Sequence, residues 1–204
     1  NDPVMLSTVK LLPMGCTGTL ISKNLIITAA HCFSGAPTGF VKTLKFGFGS
    51  TGAVDSRIKA TGVVIHPGFK EIVFPYPQNA LYDLTLIAFE GEIQPPYKPV
   101  MIASMADQIA VGTEVTLAGY GAYFNDDKNT ERPLTSVQIK IGEILNQYRE
   151  IQLVQRERIG GCNGDSGGPS YLKAADKSCL KILTTTTGPG RGIQDNCASG
   201  SGTL

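Results

Sequence analysis

With 204 residues and 42% hydrophobic side chains, the chain has enough apolar material for one large domain or two small ones. Its 18 Lys and Arg against 17 Asp and Glu leave a formal charge of +1, which excludes a global field for attracting nucleic acid or an anionic membrane. No apolar run reaches the roughly 18 to 20 residues needed to cross a bilayer, and the first 15 residues lack a basic start followed by an apolar segment, so a soluble chain without a membrane span is expected.

In chain order, short β-like runs bounded by Gly, Pro, Asn and Asp fall at Gly18–Ile21, Leu25–Thr28, Leu44–Gly47, Ile58–Ile65, Leu84–Phe89, Glu114–Ala118, Val137–Ile144 and Leu180–Thr187. Many short strands with few helical stripes predict an all-β barrel or sandwich. The run at 84–89, LTLIAF, is apolar on both alternating faces and predicts a strand buried on two sides, with Asp83 carried to the edge of a core. A proline-rich stretch, Ile93–Pro99, reads as a connection between two halves. Between Tyr148 and Arg158 the apolar spacing supports strand and helix equally.

Five cysteines stand at 16, 32, 162, 179 and 197, and none forms a CxxC pair. Two disulfides and one leftover thiol, in an oxidising compartment, fit that pattern better than a zinc ribbon or a thioredoxin-type motif.

Three separated stretches carry chemistry. The first, CTGTLISKNLIITAAHC, sets two β runs between Cys16 and Cys32, with His31 directly before the second cysteine. A bridge across that loop would contribute roughly 3 kcal/mol in the chain-entropy picture and would anchor His31. Taken alone, His31 reads more readily as a structural histidine than as a catalyst, and His66, before a proline turn with nothing titratable adjacent, reads as structural. The second is Asp83 at a strand start, where an Asp is usually a turn or cap residue. If buried, its carboxylate needs a donor, and an imidazole Nδ1–H is one. The third is GCNGDSGGP at 161–169, where glycines flank Ser166 closely enough for the N–H groups of Gly164 and Ser166 to converge on one anion. Such a pocket suits a tetrahedral oxyanion, and a reactive serine needs a base, which in turn needs an orienting acid. His31, Asp83 and Ser166 supply that set.

With TAAHC at 28–32, DLTLIAF at 83–89 and GCNGDSGGP at 161–169, in the order His, Asp, Ser and spaced by 52 and 83 residues, the chain resembles the trypsin- and chymotrypsin-like serine endopeptidases. CTGTLIS at 16–22, HPGF at 66–69 and LAGYGAY at 117–123 support the likeness, so that it spans nearly the whole chain. The resemblance implies two packed six-stranded antiparallel β-barrels, roughly 1–105 and 106–204, with the active site in the cleft between them. It implies that Ser166 attacks the scissile carbonyl, that His31 relays the proton, that Asp83 holds the imidazole, and that the N–H groups of Gly164 and Ser166 form the oxyanion hole. It also implies a Cys16–Cys32 bridge and a Cys162–Cys197 bridge across the specificity pocket, leaving Cys179 free.

The pocket departs from the trypsin pattern. Six residues before Ser166, where trypsin-like members carry an Asp at the pocket floor, stands Gly160. With Asn163 nearby and Thr186, Thr187 and Gly188 placed along the substrate backbone, the resemblance implies cleavage after neutral, apolar or small side chains. Arg158 and Arg191 offer an alternative, a preference for acidic residues, although surface arginines are usually just solvated. Asp165 matches the acid that pairs with a freed amino terminus on activation, as in a zymogen, but Asn1-Asp2-Pro3-Val4 is not such a terminus. Asn1 is therefore expected not to be the biological start, and the chain is expected to stop at Gly202-Thr203-Leu204 before the family's last strand is complete and before its C-terminal helix.

The leading expectation is a secreted monomeric endopeptidase, extracellular or, if bacterial, periplasmic, acting on protein or peptide substrates and open to protein inhibitors. The competing one is a catalytically silent or unactivated pseudo-protease that binds a partner. An ester hydrolase of the α/β type is disfavoured, because neither its GxSxG elbow nor its order of Ser, acid and His occurs. No cofactor is implied, and two isolated histidines do not make the usual multi-His metal set.

Overall fold

The computed structural model describes residues 3–70, 82–104, 106–107, 109–122, 132–146, 150–154, 160–174, 179–188 and 201–203, with only the backbone considered at 186–188 and 201–203. Short runs of β-branched and other apolar residues, each cut off by Gly, Asn or Pro, leave the backbone little to do but pair laterally. A five-residue helix, α1 (Pro3–Ser7), precedes the first sheet. That sheet holds β1 (Thr8–Leu12), β2 (Cys16–Ser22), β3 (Leu25–Thr28), β4 (Lys45–Phe48), β5 (Ala53–Val54), β6 (Lys59–Ile65) and β7 (Thr85–Glu90). All its pairings are antiparallel, in the order β5-β4-β1-β2-β3-β7-β6.

The second sheet comprises β8 (Met101–Ile102), β9 (Glu114–Gly119), β10 (Thr135–Leu145), β11 (Glu150–Leu153), β12 (Pro169–Lys173), β13 (Leu180–Gly188) and β14 (Ser201–Thr203). Its order is β12-β9-β10-β11-β14-β13-β8, and a further β12–β13 pairing returns the sheet on itself. Six strands thus close a ring, and β8 lies outside it, parallel to β13 through Lys181↔Met101 and Ile182↔Ile102. The described strands therefore number seven per sheet rather than six, and one pairing is parallel. The extra members, β5 and β8, are two residues long, too short for any alternation to announce them.

One core fills the curl of the first sheet around Leu11, Leu20, Ile26, Phe46, Ile87 and Phe89. A second fills the ring around Val115, Leu117, Ile141, Ile151, Leu172 and Leu183. A third cluster, with Val4, Tyr120, Tyr171 and Ile182 at its centre and Ile21 and Ile27 against it, is the seam where the two sheets meet. There the buried Tyr171 hydroxyl lies 2.7 Å from Ser7 Oγ and 2.9 Å from Thr8 Oγ1, so helix α1 is tied to the second sheet.

One expectation needs correction. β7 is not buried on both faces: Thr85, Ile87 and Phe89 point inward while Leu86 is 38% exposed. Among the described residues nothing covers the outer face of this open sheet at that point, which an apolar composition alone does not reveal. The ambiguous stretch before Arg158 contains a strand, β11, whose Ile151 and Leu153 face the core of the ring.

Candidate functional site

Strand pairing is what joins His31 to Asp83. β3 and β7 run antiparallel with Thr28 opposite Thr85, so the residue three beyond the end of β3 and the residue two before the start of β7 arrive at the same end of the sheet. His31 opens a short 3-10 turn, His31–Phe33, whose Ala29 and Ala30 approach is fully buried. The disulfide from Cys32 to Cys16 pins that turn back onto β2. Closing this 16-residue separation limits the unfolded chain by about 3 kcal/mol in the loop-entropy account.

Asp83 is completely buried and both of its oxygens are used on one residue. The His31 backbone N–H donates to Oδ1 at 2.7 Å, and His31 Nδ1 lies 2.7 Å from Oδ2. An ionised carboxylate only accepts, so Nδ1 carries the proton and, in the neutral imidazole, Nε2 is left as the acceptor. His31 is 26% exposed, so that acceptor is within reach of an incoming group.

The Ser166 loop approaches from the second sheet. Cys32 Sγ lies 3.9 Å from His31 Nε2 and 3.8 Å from the Ser166 carbonyl oxygen, so both residues meet one sulfur atom. The Thr17 N–H donates to the Ser166 carbonyl at 2.8 Å. Ser166 itself is half-buried. Gly164 and Gly167 sit at φ of +103° and +78°, a region in which an L side chain is strained. A Cβ on Gly167 would collide with Thr28 Oγ1 and the Thr17 carbonyl, so this close approach of the loop to β2 and β3 needs a glycine. Among the described residues, the N–H groups of Gly164 and Ser166 have no acceptor, leaving two donors on the loop uncommitted.

Asp165 points the other way. Its Oδ1 accepts from the Gly121 N–H at 2.8 Å and its Oδ2 from the Cys162 N–H at 2.9 Å. Burial pushes its carboxyl up from 3.8 to about 6, against the pull of the Cys162 and Gly121 N–H groups and the Arg132 charge. The folded chain therefore holds this proton more tightly than the unfolded one. The resulting stabilisation is fully present below about pH 4 and is lost as pH rises through about 6, a change on the order of 3 kcal/mol. Urea unfolding of the wild type and Asp165→Asn between pH 3.5 and 7.5 is expected to show the wild type losing ground across that window; parallel pH profiles would contradict it.

A family model for trypsin matches residues 4–200. The chain belongs to the trypsin family. It is 30% identical over 193 residues to "Serine protease 56" of Mus musculus, covering 89% of this chain and 31% of that protein. It is 28% identical to the Homo sapiens protein of the same name, covering 87% of this chain and 30% of that one. "Serine protease snk" of Drosophila melanogaster is 25% identical, over 87% of this chain and 43% of the relative. The chain thus spans less than half the length of each of these relatives.

Within this trypsin-family frame, the structure draws His31 and Asp83 together and sets the Ser166 loop beside them, while the expected pocket residues are spread along the neighbouring backbone. Gly160 is half-buried in a bend and Asn163 is exposed, its carbonyl accepting from the Ala122 N–H at 2.8 Å and from Arg132 Nη1 at 3.2 Å. Thr186, Thr187 and Gly188 continue β13, with Thr186 opposite Gly202. Cys162 is disulfide-bonded and Cys179 is a free, half-buried thiol. Cys197, Arg158 and Arg191 lie outside the described residues. Cys16, His31 and Cys32 group their ligand atoms closely enough for a metal, but the two sulfurs are bonded to each other and offer no thiolate.

One residue at the site went unassigned in the sequence. Thr17 Oγ1 donates to the Gly164 carbonyl at 2.7 Å and accepts from the Tyr120 N–H at 3.1 Å, so a single hydroxyl ties the serine loop, β2 and the end of β9 together. It lies within the CTGTLIS likeness, but nothing in its spacing marks the hydroxyl. Both groups it satisfies are buried or partly buried, and each would cost about 1–3 kcal/mol if left unpaired.

Proposed function

We propose that the chain is a secreted serine endopeptidase, hydrolysing peptide bonds through Ser166, His31 and Asp83 by way of an acyl-enzyme. The observation that carries this reading is the fully buried Asp83 carboxylate committed to one histidine at 2.7 Å, with the Ser166 loop on the same disulfide sulfur as that histidine's free nitrogen. A binding surface has no physical need for a histidine held in one tautomer beside a serine loop.

On this reading Ser166 Oγ attacks the scissile carbonyl carbon while its proton passes to His31 Nε2. The carbonyl oxygen becomes an oxyanion, which the N–H groups of Gly164 and Ser166 receive; their lack of other acceptors among the described residues supports that role. The imidazolium gives its proton to the leaving amine as the carbon–nitrogen bond breaks. Water, deprotonated by His31, then attacks the acyl-Ser166 ester and releases the acid. The base must be neutral to take that proton.

Gly160 leaves the pocket without an acid at the position where trypsin-like members hold Lys or Arg. Cleavage after neutral, apolar or small residues is therefore the specificity, with Asn163, Thr186, Thr187 and Gly188 along the substrate and the Cys162–Cys197 bridge fastening the wall. Asp165, buried and costly to ionise, is the group that would gain from a cationic amino terminus on activation. Secretion is supported by the Cys16–Cys32 disulfide, and among the described residues no helix is long and apolar enough to cross a membrane.

A mixed peptide library digested by the purified chain, after any terminal processing it needs, tests both levels. Cut sites following neutral residues are expected. Strict cutting after Lys or Arg would overturn the reading of Gly160, and no cutting at all would favour a partner-binding role.

A further inference from the structure

Among the described residues, Tyr82 is the one non-glycine in the left-handed region, at φ +58°. A large aromatic side chain avoids this region, so the surrounding structure has to hold it there. Tyr82 immediately precedes Asp83. The Leu84 N–H donates to the Tyr82 carbonyl at 2.7 Å, closing a tight turn with Asp83 at its centre. The direction in which that buried carboxylate points therefore follows from the conformation of Tyr82.

The support comes from His66. Its ring stacks on that of Tyr82, with centroids 4.5 Å apart and planes 9° from parallel. The Gly68 N–H donates to His66 Nδ1 at 3.1 Å, which sets the ring and leaves its proton on Nε2. The His66 N–H donates to the Leu84 carbonyl at 2.9 Å, so the same residue grips the turn by its backbone as well. Gly68 makes the room: a Cβ there would stand 2.8 Å from Tyr82 Cδ2 and 3.3 Å from His66 Cε1. His66, Gly68 and Tyr82, in contact although Tyr82 lies well along the chain from the other two, thus hold one strained turn, and that turn aims both carboxylate oxygens at His31.

We propose that the stacked His66–Tyr82 pair, seated on Gly68, holds the Asp83 carboxylate on the His31 ring, making His66 and Tyr82 positioning residues for the reaction. The stack resists the rotation that would release Tyr82 from its left-handed backbone. Once released, the turn relaxes, Oδ2 leaves Nδ1, and His31 is free to turn or change tautomer. The effect on catalysis rests on the peptidase reading above; the effect on the Asp83–His31 hydrogen bond does not.

The experiment compares the wild-type chain with Tyr82→Phe, Tyr82→Gly, His66→Ala and the double variant Tyr82→Gly/His66→Ala. It measures kcat and KM on a cleaved peptide, the urea midpoint, and the far-downfield proton resonance of the His31 Nδ1–H shared with Asp83. Tyr82→Gly removes the ring and leaves a residue that enters and leaves the left-handed region freely, so nothing holds the turn at one φ, and it keeps the experiment decisive should His66→Ala fold poorly. Tyr82→Gly and His66→Ala are each expected to lower kcat about tenfold or more with KM within about twofold, and to move or broaden the resonance. Tyr82→Phe, which keeps the stack, should behave as the wild type, and the double variant should fall no further than the worse single one, as for residues acting as a unit. An unchanged resonance in folded Tyr82→Gly, or equal damage from Tyr82→Phe, would overturn the proposal. A wild type that shows the resonance but cleaves nothing would count against the peptidase reading, while the response of the resonance to the variants would still decide this one.

Discussion

Replacing Ser166 by alanine is expected to lower kcat by about 10^4-fold or more, toward what substrate binding and the oxyanion donors sustain by themselves. The residue is half-buried on a loop whose backbone is already fixed by the Thr17 N–H to its carbonyl and by the glycine at 167, neither of which involves its side chain. Truncating the hydroxyl should therefore leave the fold and KM nearly as they are. Measured on a peptide drawn from the library, with the urea midpoint alongside, turnover in Ser166→Ala close to that of the wild type would remove Ser166 as the nucleophile. A serine-reactive phosphonate adds an independent readout, since it should label the wild type and not the variant.

Asp83→Asn should be nearly as damaging, for a reason that the two hydrogen bonds make specific. The carboxylate accepts from the His31 backbone N–H through Oδ1 and meets Nδ1 through Oδ2. An asparagine keeps the first bond only by turning its carbonyl oxygen to the backbone N–H, which presents its NH2 to Nδ1. The imidazole then has to accept at Nδ1 and carry its proton on Nε2, where it can no longer take one from Ser166. A loss of about 10^4-fold in kcat is the size typical of such an exchange in a triad, and the folded structure should survive because the buried site remains hydrogen-bonded. Kinetics with denaturant unfolding checks it; a fall of less than about tenfold in a folded variant would mean that the tautomer of His31 is not what Asp83 controls.

These expectations start from residues that were legible as letters. Eight strands could be placed from short apolar runs and their Gly and Asn boundaries, and Leu25–Thr28 coincides with β3 to the residue. β1 went unread because TVKLL places Lys10 in its middle; the residue is nonetheless buried, its amino group 5.8 Å from the Tyr120 ring centroid. A long aliphatic stem lets a lysine enter a buried strand and spoil the alternation that would have announced it. β12 was hidden differently, since it begins at Pro169 directly behind a glycine-rich loop and so reads as the continuation of that loop.

The candidate site divides along the same line. Which residue types stand where, in the order His, Asp, Ser, with glycines around the serine and a cysteine beside the histidine, was determined by the sequence, because local backbone preferences and covalent neighbours are written in it. That Thr28 lies opposite Thr85, that one threonine hydroxyl joins the serine loop to two strands, and that His66 stacks on a left-handed Tyr82 to aim Asp83 were decided only by the tertiary structure. Each is a contact between residues distant in the chain. Pairing register and side-chain packing are cooperative properties of the whole sheet, and no local preference along the chain specifies which distant partner will fill the remaining space.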